Sequence, residues 1–168
     1  MHNKYYADHL HSVDDQLFSV MANLKEIANR FRDLRGKEIE FVKEALNENS
    51  EVAVQMVAEQ LAKGIKSDGT AAVFTYSPFT IAQKKNRPGL SGVTDHLTNY
   101  DTGESYRGLY FKVNGASVEY GTTTDKEADI SDRMDGLAFA PTPKNKEELI
   151  LHFVSKTANR KIRNFLKL

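Results

Sequence analysis

The sequence predicts an α+β fold: N-terminal helices and a C-terminal helix packed on a small antiparallel sheet. Three observations predict it. Apolar residues recur at helical spacing near both ends of the chain. Between them, Leu109-Phe111-Val113 and Ala116-Val118-Tyr120 alternate with polar residues around Asn114-Gly115. The segments linking these regions are rich in Gly, Pro, Asp and Asn, the residues that punctuate secondary structure.

At 168 residues the chain suits one domain with its own core. Within it the pattern marks a helical region over 1–65, a long connection over 66–100, a hairpin region over 101–122 and a last helix over 144–168. Hydrophobic residues make up 40% and charged residues 27%, the balance of a folded chain rather than a disordered one.

The first helix is expected to begin at Ser12, with Asp14 and Asp15 in its first turn. Leu17, Val20, Leu24, Ile27, Phe31 and Leu34 then form one apolar stripe, closed by Gly36. The stripe is too short for a long coiled coil and suits packing within a bundle or against a sister subunit. A second segment carries Ile39, Val42, Ala45 and Leu46. After Asn47-Glu48-Asn49, Ser50 can cap a third, in which Ala53, Val57, Leu61 and Ile65 share a face. One interrupted helix or two separate ones both fit this pattern.

The connection holds Tyr76-Ser77-Pro78, a candidate helical turn over Phe79 to Lys85, and the turn signal Asn86-Arg87-Pro88-Gly89. A loop this long inside a compact domain implies a functional role or ordering by partners. In the hairpin, Asn-Gly between alternating runs predicts a type I′ turn with φ > 0 at both central residues. A lone hairpin is marginal in water, so a further strand is expected, from the 71–76 run or from another subunit. The 122–136 stretch is polar and acidic and reads as a surface loop or a short helical turn. Pro141 and Pro143 bracket a sharp entry into the last helix. That helix has an apolar face of Leu149, Ile150, Phe153, Ala158, Ile162, Phe165 and Leu166.

Composition narrows the function. There is no Cys, which removes disulfides and thiolate metal sites. No run approaches the length of a membrane span, and the N-terminal residues lack the apolar core of a secretion signal. Formal net charge is zero, so the simplest argument for nucleic-acid binding is missing. The charge is uneven, however. Residues 144–168 carry seven Lys/Arg against two Glu, a local +5, and residues 1–65 carry eight Lys/Arg against eleven Asp/Glu, a local −3. Ends of opposite sign can pair with each other or with neighbouring copies.

Motifs for catalysis find little support. Asp101-Thr102-Gly103 matches the triplet of aspartic proteases, but that reaction needs two carboxylates sharing one proton, and the flanking Glu104-Ser105-Tyr106-Arg107 is polar. The triplet reads instead as the turn entering the hairpin, with Gly103 at an unusual backbone angle. His9 and His11, two residues apart on a helix, point to different sides and make a poor metal pair. No phosphate-binding, dinucleotide-binding, zincin or nucleophile-elbow motif is present, and no cofactor is expected. A metal-dependent hydrolase or nuclease built around Asp95, His96 and Asp101 is one alternative. An adaptor or immunity-like inhibitor offering its acidic loop to a basic partner is another.

The order of elements from about residue 66 onward resembles phage head–tail connector and tail-completion proteins, with the texture of neck and tail proteins from phages of the Bacteroides group. Asp68-Gly69 is similar to their early loop, and Thr80-Ile81-Ala82-Gln83-Lys84-Lys85 to their basic segment. Thr102-Gly103 with Tyr106-Arg107-Gly108-Leu109 is similar to their Thr-Gly element. Val118-Glu119-Tyr120-Gly121-Thr122 resembles their closing strand, and Phe139-Ala140-Pro141 their proline segment. The acidic 125–135 loop and the long N-terminal helical region depart from the pattern.

The resemblance implies a non-enzymatic structural protein of the virion, made in the host cytoplasm. It would form a ring with its own copies and bind portal, connector or tail proteins, with neither a membrane nor a nucleic acid as main partner. Candidate contact residues are Lys84, Lys85 and Arg87 in the basic loop and Asp125, Lys126, Glu127, Asp129 and Asp132 in the acidic one. Arg160, Lys161 and Arg163 on the last helix complete the set.

Overall fold

The computed structural model describes residues 24–167; the expected Ser12 cap, the stripe positions Leu17 and Val20, and His9 and His11 lie outside them. The fold is α+β, with helices on both sides of one hairpin in chain order. The element order is α1 (24–34), α2 (Glu38–Glu48), α3 (Ser50–Ala62), α4 (Pro78–Lys84), a 3₁₀ turn (Gly89–Gly92), α5 (Glu104–Arg107), β1 (Leu109–Asn114), β2 (Ser117–Thr122), α6 (Glu127–Arg133), α7 (Pro143–Glu148), a π-helical segment (Leu149–Val154) and α8 (Ser155–Leu166). Contacts divide the chain into two compact units. One comprises the described residues up to Val42 and those from Ala158 onward; the other is Lys43–Thr157.

In the first unit, the Phe41 and Phe165 rings meet with centroids 5.7 Å apart and tilted by 59°. The Lys37 ammonium lies 5.0 Å from the Phe165 centroid. Arg30 pairs with Glu26 one turn earlier and donates from Nη1 to the Leu166 carbonyl at 3.0 Å. That carbonyl belongs to the last turn of α8, where a cation satisfies an orphan acceptor and suits the helix dipole. The apolar stripe is largely uncovered: Leu24, Ile27 and Phe31 on α1, and Ile39 and Val42 on α2, are all exposed.

The larger unit is built on α3. Ala53, Val57 and Leu61 are buried along one face, as their spacing requires. Val57 and Leu61 join Leu97, Ile130, Met134 and Ala138 in a core flanked by Tyr76, Tyr106, Leu109 and Tyr120. The boundary between α2 and α3 falls at Asn49, which precedes the first residue of α3, Ser50. Neither residue supplies the expected side-chain cap. The Asn49 amide instead donates back to the Ala45 carbonyl at 2.7 Å and to Thr157 Oγ1 at 3.2 Å, so it serves the end of α2 rather than the start of α3.

The hairpin pairs Leu109 with Thr122, Phe111 with Tyr120 and Val113 with Val118. The Phe111 and Tyr120 rings meet nearly edge to face with centroids 5.2 Å apart. The turn differs from the type I′ expectation. Asn114 pairs with Ser117, so the two loop residues are Gly115 and Ala116, and only Gly115 has positive φ, at 60°. Glycine first in a two-residue loop is the type II′ pattern. The turn has moved by one residue and each cross-strand partner by two, which leaves every side chain on its expected face.

The further strand is not found among the described residues: the sheet has two strands. The 71–76 run contributes one bridge, Ala71 opposite Ile65, with Ala72 N–H donating to the Gly64 carbonyl at 2.7 Å. Beyond it the backbone leaves the ladder, and Val73 is 98% exposed. The hairpin gains its missing support from α3, against which β1 packs.

The acidic stretch is more than a surface loop. It forms α6, whose Ile130 and Met134 sit one turn apart in the core. The C-terminal helix starts at Pro143 behind a Thr142 cap whose hydroxyl accepts from Asn145 N–H at 3.2 Å. The π-helical segment shifts the phase of this last helix. Leu149 and Val154, five apart, are buried, whereas Ile150, expected on the apolar face, is exposed. No helix among the described residues is long and apolar enough to cross a membrane.

Candidate functional site

A concavity of the larger unit lined by seven charged residues, about 380 Å³, opens between α4, the 99–105 segment and α6. Its walls are set by local sequence. Ser77 caps α4 by accepting from Thr80 N–H at 3.1 Å, and Pro78 occupies the first helical turn. This short helix carries Thr80, Gln83 and Lys84 to the cavity. Lys84 is only 7% exposed, and its ammonium lies 4.7 Å from the centre of the Tyr76 ring.

The opposite wall is the Asp-Thr-Gly stretch. Gly103 precedes α5 with φ of 78°, and a Cβ there would meet the Tyr100 hydroxyl at 2.6 Å, so both backbone and space demand glycine. The predicted unusual angle is present, although the one-turn α5 separates the triplet from β1. Asp101 pairs with Arg87 across the rim, and Lys126 lies 4.0 Å from Glu104. Asn99, also left-handed with φ of 51°, lines the cavity with an amide whose oxygen and nitrogen find no partner among the described residues.

Three tyrosines stiffen this wall. Tyr106 donates its hydroxyl to the Thr98 carbonyl, and its ring meets Tyr100 at 5.1 Å and 69°. The Tyr76 hydroxyl accepts from Thr98 N–H at 3.5 Å. Burial, reinforced by Tyr76 and Tyr100, pushes the Tyr106 phenol well above its ordinary value. A raised phenol favours the neutral folded state, so its contribution is complete below the ordinary tyrosine range near about pH 10 and is lost as pH rises through the shifted value. Tyr106→Phe is therefore expected to lower stability by about 1 kcal/mol at neutral pH, by leaving the Thr98 carbonyl unpaired. It should also flatten the decline in melting temperature on the alkaline side. Thermal unfolding of both proteins from neutral to alkaline pH measures the two effects; parallel curves would contradict the assignment.

The expected contact residues fall into three groups. Lys84, Arg87, Lys126 and Asp129 come together around this cavity, joining the basic loop to the acidic one. Lys85, Asp125, Glu127 and Asp132 are exposed and do not line it. Arg160 and Arg163 are exposed on α8 and Lys161 is half-buried; Arg160 and Lys161 are already engaged within the protein. Sequence reasoning missed Arg133, Tyr76, Tyr100 and Asn99. Arg133 had a signal, lying one turn after the acids at the start of α6, but Asn99 shows no sequence feature that would select it.

The residues of the hydrolase alternative are divided. His96 donates from Nε2 to the Ala62 carbonyl at 2.9 Å, while Nδ1 lies 2.8 Å from Asp95. Asp101 lines the cavity, whereas Asp95 and His96 do not. Among the described residues, no group of three or more His, Asp or Glu side chains is placed to hold a metal ion. A second depression, about 970 Å³, runs between α3 and the 142–148 turn; none of the buried charged side chains lines it. Comparisons with protein-family models, curated proteins and solved structures found no match to this chain.

Proposed function

We propose that the chain is a structural assembly protein working through protein–protein contacts, and, following the resemblance of its 66–168 region, a component of a phage neck or tail. The observation that supports this reading is the amount of large apolar side chain left in water. On the first unit these are Leu24 (60% exposed), Ile27, Phe31, Ile39 (67%) and Val42. On the larger unit Val73, Phe74, Phe79 (71%), Ile81, Ile150 and Leu151 are exposed as well. Single exposed apolar residues need no explanation, but runs of them on neighbouring turns of one helix mark surfaces that other proteins cover. In a ring or connector, sister copies and adjoining virion proteins would provide that cover.

The reading predicts concentration-dependent association. Light scattering coupled to gel filtration should show species larger than one chain, and Phe31→Asp should weaken the association at least about tenfold, since covering a Phe side chain is worth about 1.5–3 kcal/mol. A monomer at every concentration, with no incorporation into particles when co-expressed with portal and tail proteins, would sink the proposal.

A further inference from the structure

The cavity between α4, the 99–105 segment and α6 is built for a ligand of one charge type. Its lining includes four cations, Lys84, Arg87, Lys126 and Arg133, against three carboxylates, Asp101, Glu104 and Asp129, which leaves one positive charge in excess. The pairs remove most of this set from consideration. Arg87 is engaged by Asp101, and Lys126 faces Glu104. The side chains of Lys84 and Arg133 make no ion pair or hydrogen bond with another described residue, and Lys84 is almost wholly buried with a tyrosine face as its neighbour.

Burial of the Lys84 side chain holds its ammonium against the Tyr76 ring at the cavity, and a ring face satisfies a cation only in part, which favours a negative group beside it. Tyr76 supplies a flat ring face beside the charge, and Tyr100, Thr80, Thr102 and Ser105 line the same cavity. The volume of about 380 Å³ is that of a small-molecule site.

We infer that this cavity binds a compact monoanion, a carboxylate carried on a small flat or apolar body, with Lys84 as the anchor and Arg133 as the second cation. One excess charge is neutralised by one carboxylate. A phosphate dianion would overshoot and meet Asp101, Glu104 and Asp129 on the rim, which repel it. The cavity is formed by residues of the larger unit alone, although Phe79 and Ile81, on the helix that walls it, are among the exposed apolar side chains.

The test uses the full chain, isotopically labelled, titrated by NMR with sodium benzoate and separately with inorganic phosphate. Benzoate should give saturable shifts confined to backbone amides of 99–105 and 126–133, with an affinity on the order of 1 mM, ordinary for so few atoms. Lys84→Gln should weaken binding about tenfold, the loss of one charge-assisted hydrogen bond, whereas Lys84→Arg should keep most of it. Arg133→Gln, an exposed change that leaves the core untouched, should weaken it several-fold and serves if Lys84→Gln does not fold. Phosphate held as its dianion in mildly alkaline buffer should bind more weakly than benzoate and tighten as acid converts it to its monoanion. Absence of saturable shifts with benzoate, or equal affinity in the Lys84→Gln and Arg133→Gln variants, would overturn the site. Phosphate binding as tightly as benzoate in that mildly alkaline buffer, where it is a dianion, would overturn the preference for a monoanion.

Discussion

Leu61→Ala is expected to lower the stability of the larger unit by about 3 kcal/mol, within the 2–5 kcal/mol range for deleting a buried leucine side chain. Leu61 lies in the last turn of α3 and is among the largest fully buried side chains, packed in one cluster with Leu97, Met134 and Val57. Those neighbours come from a helix, an irregular segment and α6, so the hole left behind is bounded by three independent pieces of backbone. Such a site collapses poorly, which places the cost above the transfer value alone. At roughly 3 °C per kcal/mol for a chain of this size, the melting temperature should fall by about 10 °C. Leu61→Met, which keeps the volume, should cost less than about 1.5 kcal/mol. Differential scanning calorimetry on both variants decides the matter. A fall of only a degree or two for alanine would mean that α3 is not the element around which this unit is packed.

Gln60→Leu should have an effect of comparable size for a different reason. Gln60 is buried, and its amide spans the gap to the segment that enters α7. Oε1 accepts from the Thr142 N–H at 2.9 Å, and Nε2 donates to the Ala140 carbonyl at 3.0 Å. Leucine fills similar space but leaves one buried donor and one buried acceptor with nothing to bond. Each such orphan costs about 1–3 kcal/mol, so a loss of about 2–4 kcal/mol is expected. The change should act locally as well. Exchange of the Thr142 amide with solvent should accelerate far more than that of core amides on β1, a pattern that a cavity mutation would not produce. Slow exchange at Thr142 in the variant would show that another group holds the segment.

Much of the fold was legible because it depends on local chemistry. The α3 face, the α4 turn, the hairpin and the Thr142–Pro143 entry to the last helix each follow from spacing, capping residues or proline within a few positions. Other features required tertiary information. Ile130 and Met134 lie in a stretch that composition marks as solvent-facing, and only packing against α3 shows that the acids of α6 occupy its outer side. Ile150 was expected on the buried face because a uniform 3.6-residue period was applied across the last helix, where the π-helical segment breaks it. The absent strand at 71–76 shows that β-propensity alone does not make a sheet. Ala71 meets Ile65, but the residues after it join no strand among the described residues.

The candidate cavity was half legible. Lys84 and Arg87, and likewise Lys126 and Asp129, stand out by charge, but the two pairs lie far apart along the chain with nothing to indicate that they meet. Between them lies the Asp-Thr-Gly stretch, bounded by the left-handed residues Asn99 and Gly103, which lines the same cavity. The triplet that first suggests proteolysis turns out to be wall material.

The hairpin turn carries a consequence for how this chain tolerates changes in length. Its loop sits at Gly115-Ala116 rather than Asn114-Gly115, and the core face survives the difference because side chains on a strand repeat every two residues. A slip of the pairing register by two residues therefore preserves which residues face inward, and a slip by one would invert a strand and turn Tyr120 and Val118 away from the core, whereas residues added within the loop leave the pairing as it is. The tip is open, with nothing within 4 Å of a Cβ placed on Gly115. Residues 114–117 are thus a place where a short graft or a longer epitope can be spliced in without disturbing the core.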